Sequence, residues 1–323
     1  METGNFTALN IFVTSAGSEL GIETVKQLVK RGHRVVGQIQ ESKERAALLK
    51  VGATVATASS TNEFELTQAL QTAQPEVLLN LTPQIPNTLL HDGQDWKGYD
   101  EFLPAATLAL LKAARKAEIK FLVHASYAFL YGNKHNATED TALTVPGNDP
   151  IFAAAVEAEK MVVASTIPLC LLRLGFLYGP ASHDLELYEK SFRIFRPYFS
   201  GPAYNLSNFL HHEDAALALA LVVEQQPAGQ IFNLVDGNPA SFGDFIDYFA
   251  QSLGKPKPPH IPTWGALLAR LIIQQSQMEL LDLSTTVDSS KAHKQLGWTP
   301  QYTTYRQGLT QIAQIWQRYK MAV

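Results

Sequence analysis

Short β-branched runs alternate with longer amphipathic ones along the first half of the chain, and few folds satisfy that alternation. Runs at 10–14, 34–39, 54–57, 77–81, 121–124 and 169–174 read as strands. Segments 20–31, 43–51, 62–72, 99–117 and 151–165 carry apolar residues at helical spacing. Strands that are apolar on both faces and separated by helices cannot form hairpins. They belong to a parallel sheet whose crossover helices cover its two sides. The expected class is therefore α/β, a doubly wound parallel sheet.

After residue 174 the pattern changes. Loops rich in aromatics and prolines occupy 176–208, followed by a helix from Glu213, a strand at 230–235 and a helix around 242–253. We expect a main domain of residues 1–175 to which 209–235 return, and a smaller C-terminal substrate region of 176–208 and 236–323. The tract Lys255-Pro256-Lys257-Pro258-Pro259 reads as a surface loop.

Charge and cysteine content narrow the function classes. With 26 Lys+Arg against 30 Asp+Glu the formal net charge is -4, which offers no broad cationic surface for a phosphate backbone, so no nucleic-acid partner is expected. Cys170 is the single cysteine and lies in an apolar run, so it is expected to be packed, in a cytoplasmic protein. The first six residues lack the basic flank and apolar run of a secretory signal. The longest apolar stretch, 215–223, is half of the roughly twenty residues a spanning helix needs. No membrane role is expected.

The segment Ile11-Phe12-Val13-Thr14-Ser15-Ala16-Gly17-Ser18-Glu19-Leu20-Gly21 is a strand, a small-residue turn and a helix start, an arrangement that sets a pyrophosphate on a helix N-terminus. It is followed in order by His124-Ala125-Ser126 through Leu130-Tyr131-Gly132, by Leu172-Arg173-Leu174-Gly175-Phe176-Leu177-Tyr178-Gly179-Pro180, and by Phe209-Leu210-His211-His212-Glu213-Asp214-Ala215. Phe232-Asn233-Leu234-Val235-Asp236-Gly237 and Leu296-Gly297-Trp298-Thr299-Pro300 complete the series. These blocks resemble the extended short-chain dehydrogenase/reductase family, the NAD-dependent epimerase/dehydratase group, from Asn10 to about Trp316. The resemblance implies a Rossmann-type sheet with NAD or NADP across its carboxyl edge and a small-molecule ligand in the C-terminal region.

The resemblance also says where the site residues fall. The family's tyrosine and the lysine one helical turn later, which lowers the phenol pKa, correspond to Ile151 and Ala155, neither of which can move a proton. The third position, a Ser or Thr four residues before Tyr131, falls on Tyr127, with Ser126 beside it. Tyr127 and Ser126 are thus the catalytic candidates. Bringing a phenol from its ordinary pKa near 10 to neutrality takes roughly 4 kcal/mol, and no lysine lies near in sequence. The cofactor candidates are Thr14, Ser15, Gly17, Ser18, Glu19, Leu20, Gly21, Gln40, Leu81 and Thr82. Two of the three glycines of the family's turn are replaced, by Ser15 and Ser18 or by Ser15 and Glu19 according to the branch used for comparison. A Cβ and hydroxyl there crowd the phosphates, while serine hydroxyls can donate to them. Ser42, Lys43 and Arg45 are candidates for a 2′-phosphate or are simply a solvated helix start.

No metal site is expected. His211-His212-Glu213-Asp214 looks like a metal cluster, but the resemblance implies a loop entering a helix, and His91-Asp92 and His183-Asp184-Leu185-Glu186 read as loops. Phe192, Phe195, Tyr198, Phe199 and Tyr204, with Arg193 and Arg196, line an apolar pocket with anion anchors or form a small core. The resemblance implies that the helices 99–117 and 151–165 are the candidate faces of a homodimer. Three readings stay open. The first is a catalytically degenerate binding or regulatory protein that holds NAD(P). The second is an active oxidoreductase or epimerase/dehydratase using a displaced acid such as Tyr127 on a small carbonyl or sugar-type substrate. The third is a cofactor-free scaffold or sensor.

Overall fold

A computed structural model describes residues 7–82, 97–194, 197–198, 201–265 and 275–321. Seven parallel strands form the main sheet in the order β3-β2-β1-β4-β5-β6-β9. They are β1 (Asn10–Val13), β2 (Arg34–Ile39), β3 (Thr54–Thr57), β4 (Val77–Asn80), β5 (Phe121–Tyr127), β6 (Leu169–Leu174) and β9 (Gln230–Leu234). The order reverses between β1 and β4, which opens a crevice at their carboxyl ends. The fold class read from the alternation is the one observed, and β5 runs three residues beyond its expected end, to Tyr127.

Alternating side chains send two apolar sets to opposite faces of the sheet. Val13, Leu79, Val123 and Leu172 pack with α1 (Glu19–Lys30) and α7 (His212–Gln225). Phe12, Leu78, Leu122 and Leu171 pack toward α3 (Glu63–Ala73) and α4 (Tyr99–Lys116). Of the remaining helices in the first half, α2 (Arg45–Lys50) is short and α5 (Pro150–Val163) packs on α4.

The stretch after β6 is more ordered than a loop. It holds β7 (Phe176–Tyr178), which pairs in parallel with β8 (Phe209–His211), and α6 (His183–Arg193). The expectation that His183 to Glu186 lie in a loop is therefore corrected: they form the first turn of α6, where Asp184 and Glu186 favour the positive helix end. The helix eluded pattern reading because it is short and strongly polar on its outer side. Together with α8 (Phe242–Ser252), α9 (Gln275–Asp282) and α10 (Tyr305–Met321), these elements enclose a third, aromatic cluster above the ends of β5 and β6.

Two sequence blocks far apart are joined in this cap. Fully buried Trp298 donates its indole N–H to the Asp214 carbonyl at 3.0 Å, and the Asp214 carboxylate accepts the amides of Gln301 and Tyr302 at 2.6 and 3.0 Å. Those bonds tie the C-terminal segment to the start of α7. No helix among the described residues is long and apolar enough to cross a membrane.

Candidate active site

The β1–α1 turn is tight although serines stand at positions 15 and 18. Ser15 adopts the left-handed conformation with φ of 47°, and its amide donates to the Gln38 side chain at 2.9 Å. Gln38 is fully buried and donates onward to the Ala58 carbonyl at 2.5 Å, so β2 and β3 hold the turn from below. A Cβ at Gly21 would stand 2.5 Å from the Ser15 carbonyl oxygen, which is why that position admits only glycine. Ser18 caps α1 by accepting the Gly21 amide at 3.0 Å. The amides of Glu19 and Leu20 make no hydrogen bond among the described residues, as expected for a helix start. A dinucleotide pyrophosphate fits these donors.

Glu19 does not turn its carboxylate toward that turn. It accepts the His183 amide at 2.6 Å and lies 3.9 Å from His212 Nε2, linking α1 to the start of α6. Burial pushes its pKa up to about 7, against the His183 amide that pulls it down. At the end of β2 Gln40 is exposed, Lys43 is paired with Glu41 at 2.7 Å, and Glu44 lies against Gly17.

At the crevice, register brings polar side chains into rows. Asn80 lies opposite His124, and Ser126 opposite Arg173, itself opposite Asn233. The Thr14 hydroxyl donates to Asn80 Oδ1 at 2.8 Å and accepts the Leu81 amide at 3.0 Å and the Thr82 hydroxyl at 2.8 Å. Asn80 Nδ2 is 3.0 Å from His124 Nδ1. Burial drives His124 down to about 4, only partly offset by Glu159, so the ring is neutral at physiological pH. The cofactor candidates Thr14, Ser15, Leu81 and Thr82 thus share one hydrogen-bonded patch at the ends of β1 and β4.

The second row is ionic. Glu159 on α5 receives Arg173 Nη2 at 2.6 Å and the Ser126 hydroxyl at 2.6 Å. Arg173 Nη1 reaches the Tyr131 hydroxyl at 2.6 Å, and Tyr131 donates to Asn233 Oδ1 at 2.7 Å. All five side chains are buried. The sequence candidate Ser126 therefore donates into this network. Its members Glu159 and Arg173 escaped the sequence reading, although a lone arginine in the run Leu-Cys-Leu-Leu-Arg-Leu was an available signal.

Tyr127 points to the other face of β5 and enters the aromatic cluster, its ring stacked on Phe129 at 4.9 Å. Ile151 and Ala155, one turn apart on α5, lie in the same cluster at 6% and 5% exposure. Asp149 caps that helix by accepting the amides of Ile151 and Phe152 at 2.9 and 3.3 Å. Phe192 and Tyr198 are core, Tyr204 is exposed, and Arg193 pairs with Glu189 at 2.8 Å. Phe195, Arg196, Phe199, His91 and Asp92 lie outside the described residues. His211 caps α7 by accepting the Glu213 amide at 3.2 Å, so the His-His-Glu-Asp run is indeed a helix entry. Among the described residues no group of three or more His, Cys, Asp or Glu side chains is placed to hold a metal.

Comparison with known proteins extends the picture. The chain is 27% identical over 312 residues to a 3-diazoavenalumate denitrifying reductase of Streptomyces sp, covering 93% of this chain and 99% of that one. It is 22% identical over 334 residues to a decarboxylating sterol-4-alpha-carboxylate 3-dehydrogenase of Dictyostelium discoideum, covering 94% and 99%. The crystal structure of DesIV, a dTDP-glucose 4,6-dehydratase of Streptomyces venezuelae with NAD and TYD bound, superposes with a TM-score of 0.79 at 19% identity, covering 96% and 97%. A model of the NAD dependent epimerase/dehydratase family matches residues 11–234. With strand order, crevice and matched span in agreement, the chain belongs to the NAD dependent epimerase/dehydratase family.

Proposed function

We propose that this protein is an NAD(P)H-dependent reductase of a small molecule, with Tyr127 as the hydrogen-bond donor to the acceptor atom. The dinucleotide supplies the hydride when bound. The Leu20 amide and the Ser15 hydroxyl would hold its phosphates on a turn that Thr14, Gly17, Ser18 and Gly21 shape, with Leu81 and Thr82 at the crevice wall and Gln40 on the side of the adenosine ribose. Glu19 contributes its amide, while its carboxylate bonds to the start of α6. At the end of β2, Glu41 and Glu44 are balanced by Lys43 and Arg45, so the charge there selects neither NAD nor NADP.

The observation that carries the direction of the reaction is the apolar setting of Ile151 and Ala155. A lysine beside a phenol makes it a base, as alcohol oxidation requires. Without one, a phenol is protonated at neutral pH and can still donate to a nascent alkoxide. Reduction thus starts from the abundant protonated phenol, whereas oxidation through the same transition state starts from the phenolate, about one molecule in a thousand at pH 7, so reduction is the favoured direction there. The reductase and dehydrogenase names of the two relatives support redox chemistry over a binding role. The name of the Streptomyces relative favours a second reading, in which the acceptor is a diazonium group. It takes the hydride and leaves as dinitrogen, asking for no proton.

Oxidation of NADH followed by absorbance, with ketone, aldehyde and arenediazonium panels, tests both readings. Tyr127→Phe is expected to lower carbonyl reduction about 100-fold at unchanged NADH affinity and to leave diazonium reduction intact. No turnover on any panel by a protein that binds NADH would return it to the binding or regulatory reading.

A further inference from the structure

We propose that binding of the dinucleotide draws a proton onto Glu19, the residue that ties the cofactor turn to the cap. The inference rests on the dinucleotide reading above and goes beyond it. Glu19 is the first residue of α1, directly after the Ser18 cap. Its amide stands at the helix end on which a pyrophosphate would rest. Its carboxylate crosses to the cap and accepts the amide of His183, the first residue of α6, at 2.6 Å. Ser182 does not cap α6 with its own side chain, so a glutamate 164 residues away does so.

The surroundings leave the charge of this carboxylate poorly compensated. Asp184 and Glu186, in the first turn of α6, act on it with like charge. Glu23, one turn further along α1, is paired with Lys26 at 3.1 Å. His212 Nε2 is 3.9 Å away, but burial keeps that ring neutral down to about 4. His183 Nδ1 lies 3.9 Å from Glu186. Among the described residues no lysine or arginine forms an ion pair with Glu19. Burial, and after it Asp184 and Glu186, raise the carboxyl to about 7 against the pull of the His183 amide and the Ser182 hydroxyl, so both forms are populated at neutral pH. A diphosphate stays charged throughout that range. One held by the Glu19 amide can be no farther from the carboxylate than one side chain and one hydrogen bond, within the roughly 8 Å over which physiological salt screens charge. Repulsion then favours the neutral carboxyl in the complex. By linkage the protonated chain binds more tightly. Affinity is full below the pKa of the free chain and is lost as pH rises through the higher pKa of the complex.

Two measurements on the full chain with NADH test this: titration by protein fluorescence at pH 6 and pH 9, and calorimetry at pH 7.5 in phosphate and in Tris, whose different ionisation heats count protons. If the complex prefers the protonated carboxyl about tenfold, NADH binds about eightfold more weakly at pH 9 than at pH 6, and about half a proton is taken up per NADH at pH 7.5. Glu19→Gln keeps an oxygen for the His183 amide and cannot titrate. It is expected to bind NADH within about twofold equally at both pH values and to take up no proton. An equal fall in affinity for wild type and variant overturns the proposal. So does the absence of proton uptake by the wild type, even if the variant does not fold. Either result with NADH still bound leaves the dinucleotide reading standing, whereas no binding at any pH overturns both.

Discussion

Ser18→Gly separates the two jobs of the α1 N-terminus. In the native chain the Ser18 hydroxyl accepts the Gly21 amide at 3.0 Å, occupying one helix donor that a phosphate could take. Glycine at an N-cap costs only a few tenths of a kcal/mol relative to serine, so the melting temperature should drop by less than about 2 °C. The freed amide can then bond a charged phosphate. Such a bond is worth about 1.5–3 kcal/mol against about 1 for the neutral cap it replaces. The difference, about 1 kcal/mol, predicts NADH binding roughly fivefold tighter in the variant. Quenching of protein fluorescence on titration with NADH, run beside thermal denaturation of both proteins, measures it. Unchanged or weaker binding by a variant that melts like the wild type would mean that the pyrophosphate does not rest on this turn.

Gly21→Ala drives a Cβ to 2.5 Å from the Ser15 carbonyl and is expected to cost about 2 kcal/mol or more and to abolish NADH binding, as denaturant unfolding and titration will show. Glu159→Gln leaves the buried Arg173 charge poorly paired and should destabilise by about 3 kcal/mol. Arg173→Met alone should do likewise, and the double variant should cost less than the two singles added, a double-mutant cycle being the check. Stability should peak near pH 6.5. Buried His124, His211 and His212 stay neutral in the fold down to about 4, 3 and 4, so between pH 4.5 and 6.5 only the unfolded chain holds their three protons. Burial raises Glu19 and Asp236 to about 7, so there the fold holds two protons that the unfolded chain has lost. The net excess of one proton in the unfolded chain makes stability rise with pH by about 1.4 kcal/mol per unit in that window. Above it the two carboxyls alone titrate, and stability falls as pH rises through 7. Urea unfolding across pH 4.5 to 8 tests the maximum, and His124→Gln should flatten the acid limb.

Periodicity carried the fold because a buried parallel strand must be apolar on both faces, a property visible in any window such as 121–124 or 169–174. Short cap elements such as β7 and α6 lack that signature, since their burial comes from aromatic residues contributed by β8 and α8. The tight turn before α1 was legible at Gly21, but that Ser15 tolerates φ of 47° depends on the Gln38 side chain of another strand.

Residue identity by itself decided that no phenol–amine couple stands at 151 and 155, because isoleucine and alanine carry no titratable group wherever they are placed. Only the tertiary structure decided the fate of the polar groups that are present. Ser126 and Tyr127 are adjacent in sequence, yet the strand pleat sends one to the Glu159–Arg173 pair and the other to an aromatic cluster. Asn208 likewise gains an unpaired donor only because Val287, nearly eighty residues away, claims its oxygen. Which partner a polar side chain meets is set by long-range register and packing, and neither is written in the local pattern.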